Sequence, residues 1–109
     1  AYRDNPTVFY TAISQLQEAM FLVLLALNRL YFPTFKWMYQ VLAAMSLKPM
    51  DVEKRFRQAF RVPYEDAVQD TTRLLSETLA LVNYHFPHLD TTAVVRRLAY
   101  TRAVYTAIG

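Results

Sequence analysis

The chain of 109 residues contains a single glycine, Gly109, at its last position. β-Hairpins turn on residues that accept positive φ, glycine above all, and no Asn-Gly or Asp-Gly pair is present to form one. A chain this poor in glycine is expected to be all-α. Its five prolines then act as punctuation. Pro6, Pro33, Pro49, Pro63 and Pro87 each stand where a helix opens or ends, because proline fixes φ and has no amide to continue the hydrogen-bond ladder.

Asn5-Pro6 reads as an N-cap followed by a first helical residue. Phe9, Ile13, Leu16, Met20, Val23 and Leu27 then recur at the spacing of one helical face, with Thr11, Ser14, Gln15, Gln17 and Glu18 on the other. From residue 19 to 27 this helix is apolar all round, which predicts a fully surrounded central helix ending near Leu30. A second helix is expected from Pro33 or Thr34 to about Ser46, with Trp37, Val41, Leu42 and Met45 facing inward. A short third runs from Asp51 through Phe60, held by Val52, Phe56 and Phe60 and supported by Asp51–Arg55 and Glu53–Arg57 pairs. The fourth opens at Pro63 and carries Val68, Leu75, Leu79, Val82 and Phe86 as its stripe, lying antiparallel to the first. A fifth follows Asp90 or Thr91, with Val94, Val95, Leu98 and Tyr105 inward and Arg96, Arg97 and Arg102 elsewhere. The expected architecture is a single domain, an up-and-down helical bundle of four main helices plus one short helix.

Hydrophobic residues make up 54% and charged residues 19%, values of a folding chain rather than a disordered one. Cysteine is absent, which removes disulfides and thiolate metal sites and suits a cytoplasmic protein. The longest wholly apolar run, residues 19–27, falls well short of the roughly 20 residues that cross a bilayer, so no membrane partner is expected. A net charge of +3 is too small an excess to identify a nucleic-acid binder. The first residue is Ala1, and the expectation is a C-terminal fragment of a longer protein.

Catalytic motifs are missing: there is no glycine-rich phosphate loop, no Gly-x-Ser-x-Gly and no His-Glu-x-x-His. No catalytic residue and no metal site is therefore expected. His85 and His88 flank Pro87 without a further ligand at helical spacing, and favourable contact with a helix C-terminus accounts for them. Neither follows the Arg-to-His spacing of small helical ribonucleases. Glu18, the acid nearest the apolar half of the first helix, reads as a structural carboxylate. Tyr100 with Arg96, Arg97 and Arg102 could make a basic-aromatic surface, although a solvated or docking face is the plainer reading.

One stretch concentrates chemistry. Residues 28–37, Asn-Arg-Leu-Tyr-Phe-Pro-Thr-Phe-Lys-Trp, follow the most apolar run and contain the only tryptophan. Asn28 and Arg29 emerge side by side at the helix end. Lys36 falls in the first turn of the next helix, where the dipole disfavours a cation, and so points to an anionic partner. The candidate substrate-binding residues are Asn28, Arg29, Tyr31, Lys36 and Trp37. The residues alone leave a second reading open, a cap-and-stack corner with Trp37 and Phe32 in the core and Arg29 paired with an acid such as Glu18.

This segment resembles one found in an uncharacterised helical domain of bacterial proteins, where the domain follows a minimal nucleotidyltransferase domain. The pattern Leu-Asn-Arg-x-Tyr-x-Pro-x-x-Lys-Trp is met by Leu27, Asn28, Arg29, Tyr31, Pro33, Lys36 and Trp37. The resemblance implies a bundle akin to the substrate-binding domains of aminoglycoside-type nucleotidyltransferases, whose catalytic acids lie in the other domain. It implies an N-terminal nucleotidyltransferase domain as partner in the same parent chain, with Mg and a nucleoside triphosphate as the parent's cofactors. This chain would be the substrate-binding or cleft-forming accessory part. The alternative is a non-enzymatic interaction module, forming a homodimer through the first helix or docking through the arginines of the fifth.

Overall fold

The computed structural model describes residues 6–89 together with Thr92 and Arg96. The expected fifth helix, including Val94, Val95, Arg97, Leu98, Tyr100, Arg102 and Tyr105, lies outside the described residues, as does Asn5; Arg96 itself is exposed. The fold is an all-α helical bundle, and the described residues contain no strand. Within residues 6–89 four helices follow one another: α1 (Pro6–Leu27), α2 (Met38–Ala44), α3 (Val52–Gln58) and α4 (Tyr64–His85), with a 3-10 turn, Phe35–Trp37, leading into α2.

α1 is the spine. Phe9 and Ile13 pack at one end with Ala59 and Ala67. Met20, Phe21, Leu24 and Leu25 pack at the other with Met38, Leu42, Val52, Phe56 and Leu74. By length and composition α1 could cross a membrane, yet half of its most apolar window is buried inside the fold, as in a core helix. The return path is α3, which runs back along α1: Gln17 meets Phe56, and Tyr10 meets Phe60.

α4 runs parallel to α1, not antiparallel. The Phe9 and Tyr64 rings lie 4.9 Å apart at the N-terminal ends, while the Thr78 hydroxyl reaches the Met20 sulfur at 4.0 Å a few turns on. The short α2 and α3 together bring the chain back, so the second long helix starts where the first did. Its inner face also differs from the expected stripe. Ala67, Thr71, Leu74, Thr78 and Val82 are buried, whereas Val68 and Phe86 are 39% and 42% exposed and Leu75 and Leu79 only partly buried. Small side chains let the two long helices approach closely, and Thr78 hides its hydroxyl by donating to Leu74 O.

The ion pairs expected within α3 are replaced by longer reaches. Asp51 sits in the left-handed region, outside the helix, and Arg55 turns to α4 instead. Its guanidinium donates to Asp70 (3.0 Å), to both oxygens of Glu77 (2.6 and 3.0 Å) and to Met50 O. The Glu77 hydrogen bonds, ahead of those to Asp70, raise the Arg55 pKa above its ordinary value. Arg57 lies over the Tyr39 ring at 4.6 Å, leaving Glu53. Gln17, expected on the polar side of α1, is buried and donates to Phe56 O at 2.8 Å.

Candidate functional site

α1 ends in a left-handed residue. Leu30 N–H closes on Leu25 O and Arg29 N–H on Ala26 O, the bond pair that satisfies the last carbonyls of a helix. The residue that must take positive φ is Arg29, at 57°. Glycine takes this conformation freely; an L-residue with a Cβ loses about 1–2 kcal/mol there. Five residues later Thr34 holds φ 139° and ψ 164°, a region that is nearly glycine's alone. Two of the three non-glycine residues with positive φ among the described residues thus fall in this corner. Thr34 Oγ accepts the Lys36 amide at 3.2 Å and so opens the 3-10 turn.

Asn28 locks the corner from behind. Its Nδ2 donates to Leu24 O (2.7 Å) and Leu47 O (2.8 Å), and its Oδ1 accepts the Leu47 amide (2.9 Å). Both donors are spent on backbone, so a ligand could reach only the remaining lone pair of Oδ1. Lys48 fastens the same loop by donating to Leu42 O and Ala43 O at the end of α2.

The remaining candidates face solvent. Tyr31 is 96% exposed, Phe32 52% and Trp37 49%. Trp37 was expected on the inner face of the second helix. That helix begins only at Met38, and it is Met38 that turns into the core while Phe35 packs against Phe21. The Lys36 ammonium lies 5.4 Å from the centre of the Trp37 ring. Arg29 and Lys36 are exposed and, among the described residues, neither forms an ion pair. Trp37 and Phe32 in the core and Arg29 paired with Glu18 are therefore not what the described residues show. Arg29, Tyr31, Lys36 and Trp37 are all exposed, and of these the Lys36–Trp37 pair is in contact.

Glu18 lies half-buried on α1, and burial raises its carboxyl pKa above the ordinary value. His85 stacks edge-on against Tyr84 at 5.0 Å, and among the described residues no group of His, Asp and Glu is placed to hold a metal ion.

A second polar site lies between α2 and α3. Tyr39 and Gln40 face Glu53, Lys54, Arg57 and Arg61 across a groove of about 470 Å³. The three cations recur at one-turn spacing and could have been read as a stripe. The groove opposite them depends on how α2 packs, which no local pattern reveals. No family model matches the chain, and neither a curated protein nor a solved structure matches it.

Proposed function

We propose that the chain is a substrate-binding, cleft-forming accessory domain of a nucleotidyltransferase-like protein, taking anionic groups at the corner of residues 28–37. One observation carries this reading. Tyr31 and Trp37 stand in solvent, Lys36 lies 5.4 Å from the Trp37 ring, and neither Lys36 nor the exposed Arg29 has a protein counter-charge among the described residues. Such a surface is suited to stacking a planar group on Tyr31 or Trp37 while Arg29 and Lys36 meet its phosphates. Asn28 positions the corner through the Leu47 loop. Catalytic acids, Mg and the reacting triphosphate would belong to the partner domain of the parent chain.

Trp37, the sole tryptophan, is the probe. Titration with ATP is expected to change its emission saturably. Arg29→Gly and Lys36→Ala should each weaken binding about tenfold, the loss of one charge-assisted contact, without lowering the melting temperature. Unaltered affinity in both variants, or no saturable response in the wild type, overturns the reading. The exposed Leu30 and Phe32 favour one alternative, a non-enzymatic interaction module. Light scattering showing a stable dimer that Phe32→Ser dissociates would establish that instead.

A further inference from the structure

We propose that the anionic groups taken by the 28–37 corner belong to a bilayer surface, on which the domain docks with Leu30 and Phe32 among anionic lipid headgroups. Docking of this kind rests on the corner binding anions, as proposed above, and names their source. Within residues 28–37 four large apolar side chains, Leu30, Tyr31, Phe32 and Trp37, stand exposed, and so do the cations Arg29 and Lys36. These are the residue types of a membrane interface. Leucine and phenylalanine enter the acyl boundary, tyrosine and tryptophan sit at headgroup level, and arginine and lysine meet lipid phosphates. Stacking a nucleotide would use Tyr31, Trp37, Arg29 and Lys36, but it leaves Leu30 and Phe32 in water. A bilayer takes each side chain at its own depth and needs no enclosed pocket.

Charge favours an anionic surface over a neutral one. No Asp or Glu occurs between Glu18 and Asp51, a stretch that holds Arg29, Lys36 and Lys48. Neither Arg29 nor Lys36 forms an ion pair among the described residues. The corner is also held before it docks. The Phe32 ring meets Phe35 edge-on at 4.9 Å, Phe35 packs against the fully buried Phe21 at 6.2 Å, and Asn28 ties the start of the loop to Leu47. A loop ordered in advance loses little freedom on binding. Ten residues are too few to cross a bilayer, so the corner lies on the surface rather than spanning it.

Flotation of the chain with vesicles tests this, with emission of the sole tryptophan, Trp37, as a second readout. Vesicles of phosphatidylcholine mixed with phosphatidylglycerol should carry the chain and move Trp37 emission to shorter wavelength. Phosphatidylcholine alone should bind about tenfold or more weakly, and high salt should release the chain from the mixed vesicles. Lys36→Ala should lower affinity for mixed vesicles about fivefold, the share of one cation at a charged surface. Leu30→Ser and Phe32→Ser should each lower it about tenfold while leaving the Trp37 response to ATP unchanged, and thermal melts check that both variants fold. Soluble glycerol phosphate in excess should not displace the chain, which separates a bilayer from a free phosphate. No flotation with either vesicle, equal affinity for the two, flotation that both serine variants retain, or displacement by glycerol phosphate refutes the docking. An ATP response that persists in such a case leaves the nucleotide reading standing, so the two failures are distinguishable.

Discussion

Arg29 occupies the position at which a helix is most economically closed by glycine, and it does so in a chain whose single glycine is elsewhere. Its side chain is exposed and holds no ion pair among the described residues that would offset the left-handed backbone. Arg29→Gly is therefore expected to stabilise the fold by about 0.5–1 kcal/mol, the left-handed penalty less the extra chain entropy of glycine. Urea denaturation reads this as a higher midpoint at constant slope. An unchanged or lower midpoint would mean that the arginine makes a contact the fold needs. Stability gained together with binding lost is the signature of a residue kept for a ligand. The position of this corner was legible in the sequence, because Pro33 forces the helix to stop and the polar residues crowd beside it. The task of Asn28 was not. It depends on Leu47, nineteen residues on, returning to the helix end with both its amide and its carbonyl.

Helix ends raise a similar question, since the last four carbonyls of any helix lack an internal donor. In α3 the Arg55, Arg57 and Gln58 carbonyls are met by the amides of residues 59–62 as the chain tightens into a turn. The Phe56 carbonyl is met from another helix, by the buried Gln17 Nε2. This one bond ties α1 to the end of α3 and explains a polar residue in the core. Periodicity placed Gln17 on the solvent face, because a helical wheel does not show that a neighbouring helix will end there. The same limitation misplaced the α4 stripe: Leu75 and Leu79 have the hydrophobicity, but Ala67, Thr71 and Thr78 have the size that permits close contact. Gln17→Met keeps the volume and removes the donor. It should lower stability by about 1–3 kcal/mol, the cost of a buried acceptor left unpaired. A denaturation midpoint equal to wild type would show that the Phe56 carbonyl finds water instead.

Across the whole molecule, pH dependence of stability is the observable that sums over every titrating group, and Glu18 contributes to it with an unusual sign. Most native carboxylates gain partners on folding and stabilise the protein as pH rises. Glu18 is half-buried, and burial raises its folded-state pKa from the ordinary 4.5. In the window from that value up to the raised one, the folded state holds the proton that the unfolded state has released. Stability changes with pH in proportion to protons bound in the unfolded state less those bound in the folded state, so here the slope is negative. The Glu18 contribution is absent below the unfolded value, becomes unfavourable as pH rises through the window, and stays unfavourable at neutral pH. Glu18→Gln removes this term. The variant should match wild type at pH 4 and exceed it at pH 7, read from urea midpoints taken at each pH. Parallel curves would show that burial does not shift the Glu18 carboxyl, and a variant that loses stability relative to wild type as pH rises would show that the carboxylate is stabilised in its charged form.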